Sequence, residues 1–370
     1  MPVYGNAMTQ PSPKPYIQSL PAYHVAEGGD LTGKLIRLSF NEGAFGPSPA
    51  AVAAFQAAVP GMHRYPEMSY RALRAALAQT HNIDAGRIMC GAGSDDLLIF
   101  LARAYAGVGD EIIYSQYGFA MYAIATKSVG ATSVVVPEKN LTLDINGVLA
   151  AVTPRTKLVF IANPNNPTGS YVDKDAIRRL HAGLPKDVLL VLDAAYAEYI
   201  TVQDYSDGME LAEQAPNVII LRTFSKIHAL GGLRIGWGYG AASIIEALNK
   251  VRNPFNIATP SAMAAIASLE DREFLARSRA HNEHWRTWLS AELRAINSFT
   301  PHPAAANFIL VGVGSPERAK ALLACMRENN IQLRSMNNYK LPDHVRITIG
   351  REEEMLAVVD ALKQFRAGES

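Results

Sequence analysis

The chain has 370 residues, 49% of them hydrophobic and 19% charged, and a formal net charge of +1. That length suits two domains with a large buried core, and the near-neutral charge gives no electrostatic reason to expect nucleic acid or an anionic membrane as partner. Cys90 and Cys325 stand in apolar surroundings without metal-ligand spacing, so both read as small buried residues rather than a disulfide or zinc site. The first residues lack the cationic start and apolar core of a signal peptide. No apolar run approaches the roughly 20 residues of a membrane span, and the expected compartment is the cytoplasm.

In chain order, residues 1–22 carry Pro2, Pro11, Pro13, Pro15 and Pro21 among few bulky aliphatics. This predicts an extended arm unable to form a core of its own, either a tail or a strap across a partner subunit. Residues 35–40 read as a short strand. Ser48 before Pro49 predicts a capped helix start running to Ala58, and residues 67–80 repeat apolar residues at helical spacing. Gly91-Ala92-Gly93-Ser94-Asp95-Asp96 precedes a strongly apolar helix over 97–105. Ser94 suits its N-cap and the two carboxylates suit the helix dipole; the same glycines would let a phosphate approach the helix N–H groups. Strands are expected at 110–114 and 132–137, with an aromatic loop over 115–122 leading into a helix.

Strands and helices alternate over 157–240, which predicts a mainly parallel sheet covered on both faces. Strand 157–162 ends in Asn163-Pro164-Asn165-Asn166-Pro167-Thr168-Gly169, and strand 187–192 ends in Asp193-Ala194-Ala195-Tyr196. Strand 217–221 delivers Thr223-Phe224-Ser225-Lys226, then Gly231, Gly232 and Arg234. A capped amphipathic helix is expected over 173–183 and a further strand over 234–239. In open α/β sheets ligands gather at strand ends, where these three polar clusters would lie. The glycine spacing of Gly236-Trp237-Gly238-Tyr239-Gly240 lacks the helix cap and ribose-binding acid of a dinucleotide loop, which sets a nicotinamide dehydrogenase aside.

Beyond Pro254 the pattern becomes a long helical region over 260–297, strands at 307–313, 331–335 and 345–350, and helices at 315–329 and 351–365. The expected division is an arm over 1–40, a large domain over 41–255 and a smaller α+β domain over 256–370.

The lysine loop offers two hydroxyls, a lysine, paired glycines and an arginine. Lysine forms Schiff bases with carbonyls and arginine grips phosphate bidentately, so pyridoxal phosphate (PLP) would use all of these groups at once. Burial beside Arg234 would lower the Lys226 pKa from its ordinary value near 10.4. Asp193 closes an apolar run, where a carboxylate needs either a structural cation or a protonated pyridine nitrogen. Tyr196 and Asn166 offer hydrogen bonds to the phenolic oxygen of the same cofactor. Arg346, a cation within an apolar strand, is either salt-bridged or a carboxylate clamp for substrate. His228, His281 and His284 lack metal-site spacing and read as surface or packing residues, and no metal is expected.

Asn166-Pro-Thr-Gly169, Asp193-x-x-Tyr196, Ser225-Lys226 and Arg234 together resemble the fold-type-I PLP aminotransferases. Five further stretches are similar to the histidinol-phosphate aminotransferase branch: Asn41-Glu42 before Gly46-Pro-Ser-Pro49, Arg64-Tyr65-Pro66, Gly93-Ser94-Asp95-Asp96, Phe119-Ala-Met-Tyr122, and Tyr339-x-Leu-Pro342 before Val345-Arg346. The resemblance implies the α/β PLP-dependent transferase fold type I, a mainly parallel central sheet flanked by helices with a smaller α+β domain. It implies that Lys226 bonds the cofactor and shuttles a proton, that Asp193 pairs with the pyridinium, and that Tyr196 and Asn166 bind its phenolic oxygen. Ser94, Asp95, Thr223, Ser225 and Arg234 would hold the phosphate, Phe119 would stack on the ring, and Tyr65 would reach across from the neighbouring subunit of a homodimer. Tyr23, Arg334, Asn166 and Arg346 would face the substrate, Arg346 binding its anionic group.

The implied reaction is a ping-pong transfer between histidinol phosphate (or imidazole acetol phosphate) and the glutamate/2-oxoglutarate pair. The alternatives are an aromatic (phenylalanine or tyrosine) aminotransferase, a phosphothreonine-decarboxylase-like activity, and a PLP-binding module without turnover. The chain departs from the branch at Gly43 and Ala44, where Asn-Pro is usual, and at Lys340, where glycine is usual. Both departures bear on specificity at the implied substrate entrance.

Overall fold

The structure is a computed structural model that describes residues 11–18, 20 and 35–368. Its large sheet has seven strands in the spatial order Ile88–Gly91, Gly236–Gly240, Val218–Thr223, Leu189–Asp193, Thr156–Ala162, Glu111–Ser115 and Thr132–Val136. From Val218–Thr223 outward to Thr132–Val136 the neighbours run parallel, while Gly236–Gly240 runs antiparallel to both of its neighbours. The connection explains the reversal. Only the lysine loop separates Thr223 from Gly236, and it holds no helix long enough for the crossover that a parallel return requires.

Successive residues of the central strands face opposite sides, and both sides are buried. Val159, Ile161, Leu190, Leu192, Val218 and Ile220 join one core with Leu73, Leu77 and Ile177; Leu158, Phe160, Leu189, Val191, Ile219 and Leu221 join another with Leu97, Leu101 and Ile244. That double burial is why these strands read as unbroken apolar runs.

Local signals explain several helix starts. The Ser48 hydroxyl accepts from the Ala51 N–H at 3.2 Å to cap Pro49–Ala58, and Asp173 accepts from Ala176 at 2.7 Å to cap Lys174–Gly183. Ser94 is not a cap. The helix runs Ser94–Tyr105 with Gly93 at the cap position, φ +98°, and no side chain closes its N-terminus. A Cβ on Gly93 would collide with the Asp95 carboxylate and the Arg234 guanidinium, so only glycine fits. The region 260–297 is two helices, Thr259–Glu270 and Arg272–Ala295, broken where the Asp271 carboxylate accepts from the Phe274 N–H at 3.1 Å. Three helices, Ile145–Ala150, Met209–Gln214 and Ala242–Val251, lack a side-chain cap and have no counterpart in the sequence reading.

Residues 331–335 are likewise two strands. Ile331–Gln332 pairs parallel with Ile36–Arg37, whereas Arg334–Ser335 joins a four-stranded antiparallel sheet with His344–Thr348, Phe308–Gly312 and Thr300–Pro301. Helices Arg272–Ala295, Pro316–Glu328 and Glu352–Gly368 contribute Leu289, Leu322 and Val358 to the core of this sheet. Leu38 belongs to the same core, and the Thr348 N–H donates to its carbonyl at 3.0 Å. Residues 36–38 therefore run beside the second sheet, and Asn41 bridges from it to Tyr196 at the end of the first. Of the proline-rich arm, Pro15–Gln18 makes one helical turn, with the Tyr16 ring against Gly130 of its own chain. Cys90 is buried, but Cys325 is only half-buried, because the core stripe of its helix runs through Ala319, Leu322 and Met326 beside it.

Candidate active site

The carboxyl ends of Thr156–Ala162, Leu189–Asp193 and Val218–Thr223 meet the start of helix Ser94–Tyr105 around a cavity of about 330 Å³. Ser94, Asp95, Phe119, Asn166, Asp193, Tyr196, Thr223, Ser225, Lys226 and Arg234 all line it. Phe40 and Glu42 line it as well, residues that sequence reasoning left without a role.

Lys226 Nζ donates to the Phe40 carbonyl at 3.0 Å and stands 5.7 Å from the centre of the Tyr196 ring. Burial, and then the nearby Arg346 and Arg234 guanidinium groups, push its pKa down to about 8. Burial beside Arg234 is the expected cause; burial does come first, but Arg346 contributes more than Arg234. A neutral amine is the nucleophile, so this shift makes Lys226 reactive near neutral pH.

Asp193 is buried at the end of its strand. Its Oδ2 accepts from the Tyr122 hydroxyl at 3.0 Å, whereas Oδ1 is buried without a hydrogen-bond partner among the described residues. Burial pushes its pKa up to about 6, against the opposing effect of the Tyr122 hydrogen bond. A buried carboxylate oxygen left unpaired is costly, so the position suits a cationic N–H donor lodged in the cavity.

Beside it, the corner between Arg234 and the helix start is built for an anion. Arg234 sits in the left-handed region at φ +53° and donates to Asp95 Oδ1 at 2.8 Å and to the Gly231 carbonyl at 3.1 Å. A side chain on Gly236 would collide with the Ser94 backbone, so glycine there brings the strand directly against the uncapped helix start. The helix N–H groups, the Thr223 and Ser225 hydroxyls and the Arg234 guanidinium thus share one end of the cavity. This donor set fits PLP: a cradle for phosphate, a carboxylate oxygen for the ring nitrogen and an amine for the aldehyde.

Tyr196 is buried, and its hydroxyl accepts from Asn41 Nδ2 at 2.9 Å. Burial pushes its phenol well up from the ordinary range. Asn41 is itself held in the left-handed region at φ +57°, with its N–H donating to Thr348 Oγ1 at 3.0 Å. Both Asn41 and Tyr122 stood inside motifs noted in the sequence, but nothing local told that they would reach Tyr196 and Asp193.

Three of the expected residues that the structure describes do not line the cavity. Arg334 and Arg346 are register partners on neighbouring strands of the second sheet, so their side chains leave the same face. Arg346 reaches the cavity wall by donating to Asn166 Oδ1, and also donates to the Ser39 carbonyl at 2.8 Å. Arg334 is buried, with its guanidinium 5.8 Å from the centre of the Phe40 ring. Tyr65 is 83% exposed and stacks on Phe255 at 4.6 Å, away from the cavity of its own chain. Tyr23 lies outside the described residues. His228 is a packing residue, its Nδ1 2.6 Å from Ser268 Oγ and its pKa pushed down by burial to about 4. Among the described residues no helix is long and apolar enough to cross a membrane.

The sequence profile of the family described as aminotransferase class I and II matches residues 33–362. A histidinol-phosphate aminotransferase of Paramagnetospirillum magneticum is 48% identical over 361 residues, covering 97% of this chain and 99% of that protein. One of Rhodospirillum centenum is 47% identical over 366 residues, covering 98% of this chain and 100% of that protein. Among solved structures, histidinol-phosphate aminotransferase from Sinorhizobium meliloti in complex with pyridoxal-5'-phosphate superposes with a TM-score of 0.89 at 28% identity, covering 99% of this chain and 100% of the other. A family match across both sheets, over a cavity holding Lys226, Asp193 and Arg234, leads to one conclusion: the chain belongs to the class I and II aminotransferases.

Proposed function

We propose that the chain is a PLP-dependent histidinol-phosphate aminotransferase, working between histidinol phosphate (or imidazole acetol phosphate) and the glutamate/2-oxoglutarate pair. The observation that carries the substrate reading is the pairing of Arg334 with Arg346 across neighbouring strands. Two guanidinium groups on one face of that sheet, one of them at the cavity wall through Asn166, suit a doubly charged phosphate ester. Full-length relatives bearing that name support the same substrate.

When bound, PLP supplies a ring that withdraws electrons from the substrate's α-carbon. Lys226 would bond the cofactor aldehyde between turnovers and, once displaced, move the proton at the substrate's Cα. Asp193, oriented by Tyr122, would keep the ring nitrogen protonated. Tyr196, oriented by Asn41, and Asn166, held by Arg346, would donate to the phenolic oxygen. Ser94, the Asp95 N–H, Thr223, Ser225 and Arg234 would hold the phosphate, and Phe119 would cover the ring.

A homodimer belongs to this reading, with Tyr65 serving the phosphate of the neighbouring subunit; the exposure of that ring in the single chain supports it. Residues 41–255 would carry the cofactor, while residues 256–370 and the arm over 1–40 would bring Arg334, Arg346 and Tyr23 to the substrate side. The setting implied is a cytoplasmic enzyme of histidine biosynthesis acting on small soluble substrates.

The test is to titrate the PLP-loaded protein with histidinol phosphate, glutamate, phenylalanine, tyrosine and phosphothreonine while following its visible absorbance. Histidinol phosphate and glutamate should each convert the cofactor to its amine form. Preferential conversion by phenylalanine or tyrosine would replace the substrate with an aromatic amino acid. Bound cofactor that no donor alters would point to a binding module without turnover, and failure to take up PLP would remove Lys226 from its role.

A further inference from the structure

Residues 40–43 touch the lysine loop at two points. At one, the Phe40 carbonyl accepts from Lys226 Nζ at 3.0 Å. At the other, Gly43 lies against the loop itself. A Cβ built on Gly43 would stand 2.8 Å from the Ala229 methyl, 3.0 Å from the Lys226 carbonyl oxygen and 3.4 Å from Ala229 Cα. Gly43 is not among the glycines with positive φ, so lack of space and not backbone conformation keeps a side chain out.

Ala229 is the reverse case. Its φ of +54° is left-handed, a conformation that favours glycine, yet it carries a methyl group. The turn is held by the Ala229 N–H donating to the Lys226 carbonyl and the Leu230 N–H donating to the Phe224 carbonyl, both at 2.9 Å. Residues 40–43 are held by hydrogen bonds as well. Asn307 Nδ2 donates to the carbonyls of Asn41 and Glu42, each at 3.1 Å, and Asn41 Nδ2 donates to the Tyr196 hydroxyl at 2.9 Å. These bonds and the Ala229 methyl together fix the segment.

We propose that Gly43 and Ala229 form a matched steric pair that positions Lys226, their contact setting how closely the segment bearing the Phe40 carbonyl lies against the lysine loop. This rests on the reading of Lys226 as the reacting amine. Neither residue lines the candidate cofactor cavity, so both act through Lys226 and not on the substrate. The pair also accounts for the departure at Gly43 from the asparagine usual in the related branch: beside Ala229 a side chain has no room.

The test compares wild type, Gly43→Ala, Ala229→Gly and the double variant as full-length proteins. Steady-state kinetics are measured with PLP bound. Acetic anhydride labelling of Lys226 across a range of pH, read by mass spectrometry, is measured on the cofactor-free form. Gly43→Ala should lower kcat about tenfold with KM nearly unchanged, as expected for a displaced reacting group, and should shift the midpoint of Lys226 labelling. Ala229→Gly, which takes away the methyl that spaces the two segments, should lower kcat by a smaller factor than Gly43→Ala, and the double variant should recover most of the kcat and of the labelling midpoint lost in Gly43→Ala. Wild-type turnover and labelling in Gly43→Ala would overturn the proposal. So would a double variant no better than Gly43→Ala in folding, labelling and turnover, which decides the matter even where the single variant does not fold. Lost turnover with an unmoved labelling midpoint would make Gly43 a residue of fold stability alone, against the proposal. Turnover surviving Lys226→Ala would instead sink the parent reading, whereas indifferent Gly43 variants of an active enzyme sink only the pair.

Discussion

Tyr122 donates to Oδ2 of Asp193 at 3.0 Å, while Oδ1 of the same buried carboxylate has no partner among the described residues. The phenol therefore holds the group in place and leaves one oxygen for a ligand. Tyr122→Phe removes a hydrogen bond to a group that must be charged to pair with a pyridinium, an interaction worth roughly 1.5–3 kcal/mol. PLP should then dissociate at least about tenfold more readily, as measured by spectral titration at neutral pH. Unchanged affinity would separate Tyr122 from cofactor binding.

The same carboxylate makes stability depend on pH. With its folded pKa pushed up to about 6 from an ordinary 3.8, Asp193 retains a proton that the unfolded chain releases first. Stability of the cofactor-free protein should thus fall as pH rises through that window and stay lowered above it. A cationic ring nitrogen would cancel this loss, so PLP should raise Tm more at about pH 8 than at about pH 5. Equal increments at the two pH values would argue against Asp193 as the pyridinium partner.

Lys226 has the opposite sign. Its folded pKa is down at about 8 from an ordinary 10.5, so the unfolded chain binds the proton more tightly and the desolvated ammonium destabilises the fold at every pH below 8. The loss should shrink as pH climbs toward the unfolded value. Lys226→Met should abolish transamination yet stabilise the cofactor-free protein at neutral pH, by roughly 1–3 kcal/mol in urea unfolding. A less stable Met variant would mean that the Phe40 hydrogen bond outweighs burial.

Arg334 offers a cleaner test of substrate charge than Arg346, which also supports Asn166. Arg334→Gln should raise KM for histidinol phosphate about 10–100-fold, with a smaller change for glutamate and little change in kcat. Equal KM values in variant and wild type would remove Arg334 from the substrate side.

Tyr65 tests assembly. Purified heterodimers of a Tyr65→Ala subunit with a Lys226→Ala subunit would contain one site with both groups intact, and should be active where each parent homodimer is impaired. Heterodimers no more active than their parents would confine Tyr65 to its own chain.

Much of this site was legible in the sequence because its signals are local. A polar cluster that interrupts an apolar run marks a strand end, and the doubly buried sheet made those runs conspicuous: Asn166, Asp193 and Lys226 each follow one. Helix caps such as Ser48 and Asp173 are equally local, since cap and capped N–H lie within one turn. What only the tertiary structure decided are contacts between segments far apart in the chain. Tyr122 on Asp193, Asn41 on Tyr196, Arg346 against Asn166, and Gly43 against Ala229 each depend on strand order and register, which no window of sequence contains. The same holds for the reversed strand Gly236–Gly240 and for the split at 331–335, where adjacent residues pair with different sheets. Composition and spacing name the groups able to do chemistry; long-range packing decides which atoms are buried together, and burial sets the reactivity of Lys226 and Asp193.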